Sequence, residues 1–287
     1  MQQLLGRWDL TVGEGDQAFP TWVELRPTGG SFVGKVGSAR PLQSVKYTRD
    51  SVWFTLPPQY EGRKDNLVFE GTLTRETLAG TTTLEDGSTV AWTAKRAPAL
   101  PVLDVVWKEP VSLVEADLSN WKPRSPDWQT NWQIEAGCLV NTAVGSDLIT
   151  INRYGDFKLT AEYKYPKGSN SGIYLRGRYE FQIVDDFDGA PHGVGNSGAI
   201  YGFLAPSKNA IHPADEWNEV EITLLGRFIT VVLNGETVID NQEIPGITGG
   251  ALDSDEGNPG PIFVQGDHGP VTFRKLVIQP AIRPFSH

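Results

Sequence analysis

Short runs in which apolar and polar residues alternate, rich in β-branched and aromatic side chains, recur from one end of this chain to the other. Thr21-Trp22-Val23-Glu24-Leu25 and Ser51-Val52-Trp53-Phe54-Thr55 are two of them. Successive strand side chains point to opposite faces, so each such run is read as a half-buried strand. The spacing of three and four residues that a packed helix needs is missing over any useful length. Only single turns near Ser119-Asn120-Trp121 and Pro213-Ala214-Asp215-Glu216-Trp217 have helical character. The expected class is all-β.

Composition narrows the function classes. The 287 residues allow one large domain or two smaller ones. With 25 basic and 35 acidic residues the formal net charge is −10, which repels phosphate backbones, so nucleic acid is not an expected partner. The single cysteine, Cys138, excludes an intramolecular disulfide and a multi-cysteine metal site. No apolar run approaches the ~20 residues of a membrane span. The opening MQQLLGRWDL lacks a basic segment followed by a long apolar stretch, so a leader is expected to be absent or already removed.

Between Leu5 and Arg96 about eight short strands follow one another at regular spacing, separated by turns such as Gly13-Glu14-Gly15-Asp16 and Glu85-Asp86-Gly87-Ser88. They suggest a small up-and-down barrel or an open half-barrel over residues 1–97, accessory in role. Gly6-Arg7-Trp8 is similar to the Gly-x-Trp that opens lipocalin-like barrels, or the Trp simply plugs the base of a core. A proline-rich stretch, 98–110, is taken as the linker. Residues 111–287 continue as longer-looped strands, enough for two packed sheets of jelly-roll type.

Several segments of this second region form a group: Asn170-Ser171-Gly172-Ile173-Tyr174-Leu175-Arg176-Gly177, Tyr179-Glu180-Phe181-Gln182-Ile183-Val184-Asp185, Gly198-Ala199-Ile200-Tyr201-Gly202, Glu216-Trp217-Asn218, and Gln265-Gly266-Asp267-His268-Gly269. In this order and spacing the stretch from Val111 to Ile282 resembles the 3-keto-disaccharide hydrolase family. The resemblance implies a concanavalin-like jelly roll, an enzyme, and an oxidised sugar partner, a glycoside carrying a ketone at C3. It also implies an upstream oxidation that supplies such a sugar. Export to the periplasm or the medium is expected because sugar-processing jelly rolls of this type are often exported, and a cytoplasmic location stays open. Oligomeric state is left open as well.

The residues allow a mechanism of their own. Glu180, Gln182 and Val184 share one strand face, and a bulge after Ile183 would bring Asp185 to it. The E-x-Q-x-x-D pattern is similar to the E-x-D-x-x-E of laminarinase-like hydrolases, with the middle carboxylate replaced by an amide. A retaining mechanism needs two carboxyl groups ~5–5.5 Å apart in fixed roles, which this departure puts in doubt. A C3 ketone instead acidifies the C2 proton, so one base, one acid and one donor for the enolate oxygen suffice.

The candidate catalytic residues are Glu180, His268 and Asp185, with base and acid divided between Glu180 and His268 in either order. Asp185 would orient the His268 imidazole, or bind a divalent cation together with it. Arg176 and Gln182 would hold the enolate oxygen, although Arg176 reads equally as a structural ion pair. Tyr201, Trp217 and Gln265 are assigned to sugar contacts, Trp217 equally to the core. Asp267 adjoins His268 in a glycine-flanked loop that is either functional or a turn, and His192 lies in a glycine-rich loop long enough to cover a groove. Two other readings stand beside this one: a non-catalytic carbohydrate-binding module, and an endo-glucanase.

Overall fold

The structure is a computed structural model that describes residues 1–188 and 192–282, so His287 lies outside the described residues. Among these, no α-helix occurs, and no helix is long and apolar enough to cross a membrane. The chain is all-β, as the alternation requires. It forms two compact units, one of Met1–Ala99 with Pro245–Gly257, the other of Leu100–Ile244 with the described residues from Asn258 onward.

The first unit is one sheet of nine strands: β1 (Gly6–Val12), β2 (Phe19–Leu25), β3 (Gly30–Val33), β4 (Arg40–Pro41), β5 (Ser44–Tyr47), β6 (Ser51–Leu56), β7 (Leu67–Thr74), β8 (Thr77–Thr83) and β9 (Thr89–Arg96). Their order is β4-β3-β2-β1-β9-β8-β7-β6-β5. Consecutive strands are antiparallel neighbours, the first pairs with the last, and the sheet opens between β4 and β5. Trp8, Phe32, Phe54, Phe69 and Trp92 fill its inner face. Phe54 and Phe69 stack with centroids 4.9 Å apart. The buried Trp8 indole donates to the Leu4 carbonyl at 2.9 Å. Gly71 is required beneath Trp92, because a Cβ there would sit 2.5 Å from the indole.

Pro245–Gly257 belongs to this first unit, although in sequence it lies inside the stretch read as the second domain. Gly246 lies against the Trp22 indole, where a Cβ would come within 2.2 Å of Nε1. The Gly250 amide donates to the Lys35 carbonyl at 2.8 Å.

The second unit is a sandwich of two sheets. Its strands are β10 (Val106–Trp107), β11 (Val111–Ser112), β12 (Trp121–Pro123), β13 (Trp132–Glu135), β14 (Cys138–Asn141), β15 (Leu148–Thr150) and β16 (Phe157–Lys164). They continue as β17 (Asn170–Leu175), β18 (Tyr179–Val184), β19 (Asn218–Leu225), β20 (Phe228–Leu233), β21 (Glu236–Glu243), β22 (Phe263–Val264) and β23 (Val271–Ile282). One sheet runs β13-β14-β23-β16-β19-β20-β21, with β10 and β11 also paired to β23. The other runs β12-β15-β22-β17-β18. The residues expected to form a linker are partly tied down: Leu100 accepts the Arg227 amide at 3.1 Å, and β10 pairs with the end of β23.

The core between the sheets is continuous. Tyr163 of the larger sheet meets Phe181 of the smaller edge-on, centroids 6.4 Å apart. Burying a side chain of this size is worth roughly 1.5–3 kcal/mol, and this row fixes which face of β17 and β18 turns inward. Ile173, Leu175, Tyr179, Phe181 and Ile183 are all fully buried against it. The alternating residues Gly172, Tyr174, Glu180 and Gln182 therefore lie on the opposite, outer face of the five-stranded sheet.

Candidate active site

The site is built on the β17–β18 hairpin. Its turn needs left-handed backbone at Arg176 (φ 53°) and Gly177 (φ 68°), and the register then runs without a break from Leu175↔Tyr179 to Asn170↔Val184. Tyr174 is thereby placed opposite Glu180, and Gly172 opposite Gln182. The Tyr174 hydroxyl donates to Oε2 of Glu180 at 2.8 Å. Phe263 of β22 stacks on the other side of Tyr174, centroids 3.8 Å apart. Gly172 makes the room: a Cβ on it would stand 2.8 Å from Oε1 of Glu180.

The neighbouring strands complete the cluster. Gln265, just after β22, donates its amide to the Gly172 carbonyl at 2.9 Å. Its side-chain nitrogen lies 3.2 Å from Nδ1 of His268, and the His268 Nδ1 is hydrogen-bonded to the Asp267 carboxylate. Asp147, just before β15, accepts the Gly266 amide at 2.8 Å and pairs with Arg124 at 3.2 Å. The Arg124 guanidinium lies 5.3 Å from the Phe263 ring centroid. Tyr201 comes in from the β18 edge, where the Phe181↔Ile200 bridge sets it opposite Glu180 and its amide donates to the Glu180 carbonyl at 2.9 Å.

Burial dominates the electrostatics. Glu180 is only 4% exposed, and its carboxyl is pushed from 4.5 up to about 8. Desolvation is the main cause, the Asp267 and Asp147 charges add to it, and the Tyr174 hydroxyl and His268 oppose it. Asp147 is raised by the same burial and by repulsion from Asp267. His268 is raised above 6.5, first by its hydrogen bond to Asp267, against some desolvation. Its side chain is 51% exposed, so the imidazole is open to water while the carboxyl it interacts with is buried. A carboxyl that holds its proton near neutrality, interacting with an imidazole raised toward it, is a coupled pair equipped for proton transfer in both directions.

The structure gathers Glu180, Gln182, Tyr201, Gln265, Asp267 and His268 from the sequence-derived set. Four others it places elsewhere. Asp185 is not turned to the Glu180 face, because the register contains no bulge after Ile183; its carboxylate accepts the Gly168 amide at 2.7 Å and closes a turn. Orienting the imidazole falls to Asp267 instead. Arg176 is buried, donates to the Gly226 carbonyl and lies over the Tyr179 ring, so it ties the hairpin end to the opposite sheet. Trp217, just before β19, lies on the larger sheet of the sandwich, between the Arg274 guanidinium at 4.3 Å and the Lys164 ammonium at 5.1 Å. His192 accepts the Asn209 amide at 3.2 Å, in a loop cluster apart from the carboxyls. Among the described residues no group of three or more His, Cys, Asp or Glu side chains is arranged to hold a metal ion, and Asp185 and His268 are each engaged with other partners.

Tyr174, Asp147 and Arg124 were not reached from sequence. Tyr174 carried a signal: a turn at Arg176-Gly177 sets it opposite Glu180 once the hairpin is counted back. Asp147 and Arg124 had none, since each stands in a different segment whose neighbours are fixed only by strand pairing.

Known proteins bear out the architecture. One curated relative, a 3-keto-disaccharide hydrolase from Bacteroides thetaiotaomicron, is 23% identical over a stretch covering 39% of this chain and 50% of the relative. The chain thus spans about half the length of that protein. A crystal structure of a candidate glycosyl hydrolase from Parabacteroides distasonis superposes with a TM-score of 0.50 at 24% identity, covering 64% of this chain and 93% of that one. A second such structure from the same organism gives 0.46 at 26% identity, covering 60% and 98%. The profile of the 3-keto-alpha-glucoside-1,2-lyase-like domain matches residues 109–279, more than half of the sequence and the whole hairpin with its loops, and the chain belongs to that family.

Proposed function

We propose that the second unit cleaves the glycosidic bond of 3-keto-glycosides, with Glu180 and His268 as the proton-transferring pair. The observation that carries this reading is the buried Glu180 carboxyl, raised to about 8 beside the Asp267–His268 pair. A base of that strength suits a carbon acid better than an ordinary carboxylate does. The Glu180 carboxylate takes the C2 proton, and the electron pair moves onto the C3 oxygen as an enolate. The enolate reforms the ketone as the C1–O bond breaks, and the leaving oxygen takes a proton from the His268 imidazolium. Water then adds across C1=C2, hydroxyl to C1 and proton to C2, so the net change is hydrolysis.

The side-chain carbonyls of Gln182 and Gln265 suit the sugar hydroxyls, from which they can accept. Each keeps its side-chain carbonyl buried with no protein partner. Tyr201 at the sheet edge offers an aromatic face to the pyranose. A non-catalytic sugar binder would have no use for a carboxyl held near 8 next to an imidazole.

The test compares a 3-keto-disaccharide with its unoxidised parent, in heavy water. The wild type should release aglycone from the keto form alone and exchange deuterium into C2. Glu180→Gln should lose both. His268→Ala should keep the exchange and lose cleavage, with cleavage restored for a nitrophenyl aglycone that leaves without a proton. No turnover of the keto form sinks the proposal, and exchange that persists in Glu180→Gln while vanishing in His268→Ala reverses the two roles.

A further inference from the structure

The first unit contains a cavity of about 280 Å³ inside its open sheet, close to the lower end of the ~300–1,000 Å³ range of small-molecule sites. Phe19, Phe32 and Phe69 give it aromatic walls, and Lys35, Glu61, Arg63 and Glu85 also line it. Two polar atoms in this lining have no protein partner although they are buried: the hydroxyl of Thr21, a residue 1% exposed, and Nε of Arg63. Leaving a buried donor unpaired costs roughly 1–3 kcal/mol, and natural cores rarely keep two in one apolar chamber without a use.

Both groups can donate, and Arg63 can only donate. Its guanidinium is already anchored, Nη1 giving a 2.8 Å bond to the Thr83 carbonyl, so Nε is held in place. Of the two acidic groups in the lining, Glu61 is taken up by a two-pronged pairing with Arg40 and Glu85 is exposed. The chamber therefore combines aromatic side chains with two unpartnered donors, of which the Thr21 hydroxyl can also accept. Tyr60, 63% exposed, and Val36, 45% exposed, also line it, so its apolar surface reaches solvent.

We infer that the first unit is a binding site for a small aromatic molecule bearing an acceptor oxygen, of the phenol or aromatic-ketone class, whose ring lies among Phe19, Phe32 and Phe69 and whose oxygen accepts from Thr21 and Arg63. This site is distinct from the glycoside-cleaving residues and does not depend on the activity proposed for them.

The probe is 7-hydroxycoumarin, titrated into the full-length chain by calorimetry and by its own fluorescence, with naphthalene as the ring lacking oxygen. One saturable site per chain is expected, with naphthalene binding about tenfold more weakly, the equivalent of one hydrogen bond. Thr21→Val keeps the shape and should abolish most of that difference by weakening 7-hydroxycoumarin alone. Val12→Trp, which fills the cavity from β1, should eliminate both. If that variant does not fold, a crystal of the wild type with 6-bromo-2-naphthol should show its bromine inside the β1–β9 sheet. Absence of saturable binding, affinity unchanged in Thr21→Val, or a bromine anywhere else overturns the inference.

Discussion

The Tyr174 hydroxyl and the Glu180 carboxylate meet directly across the β17–β18 pair, at 2.8 Å, with no other strand between them. The pairing gives the buried carboxyl one neutral donor. It restrains a pKa that burial alone would carry higher.

Tyr174→Phe should therefore raise Glu180 further, above about 8. The carboxyl resonance of labelled Glu180, followed by NMR against pH, reads the midpoint directly. The rate at neutral pH should fall by about tenfold for each unit gained, because less of the carboxylate form is present. A midpoint that stays or moves down means that the hydrogen bond is not made in solution.

Glu180 also sets a pH dependence of stability. Its carboxyl binds a proton more tightly folded (about 8) than at its ordinary value of 4.5, so the folded state holds more protons between those limits. The stabilisation is complete below 4.5 and is lost as pH rises to about 8, at about 1.4 kcal/mol per unit. Denaturant midpoints of wild type should fall over that window, and those of Glu180→Gln should fall much less. Parallel curves for the two proteins would exclude a raised carboxyl at this position.

Asp267→Asn removes the main cause that raises His268. The imidazole should titrate closer to 6.5, as seen in its ring-proton shifts, and the alkaline limb of the rate profile should move to lower pH with it. An unmoved imidazole would show that Asp267 does not hold it.

Gly172→Ala tests the space under the carboxyl. The new methyl would stand 2.8 Å from Oε1 of Glu180 and 3.2 Å from the Phe181 carbonyl, so the carboxyl must shift. A displacement of that order costs roughly a hundredfold in rate. Cleavage assays at saturating substrate should show the loss in kcat, with the fold retained by circular dichroism. A rate within a factor of two of wild type would mean that Glu180 has no fixed position to lose.

Trp217→Ala should leave the rate per folded molecule unchanged while lowering stability by about 1 kcal/mol, through the loss of two cation–ring contacts. A large rise in KM with unchanged stability would return Trp217 to the sugar site.

The sequence by itself determined the strands and their faces. Period-2 alternation is a local property, so Glu180 and Gln182 could be put on one face, and Phe181 and Ile183 on the other, before any partner was known. The family resemblance likewise singled out the Gln265–Gly269 loop. Tertiary structure decided everything that depends on which strands become neighbours. Tyr174 reaches Glu180 through hairpin register. Asp147 and Arg124 join from segments far up the chain, and Trp217 goes to the other sheet. Pro245–Gly257 packs with the first unit although its flanks belong to the second. The physical reason is the same each time: alternation says which way a side chain points, while pairing between distant strands says what it points at, and so whether a carboxylate such as Asp185 closes a turn or one such as Glu180 is buried until it keeps its proton.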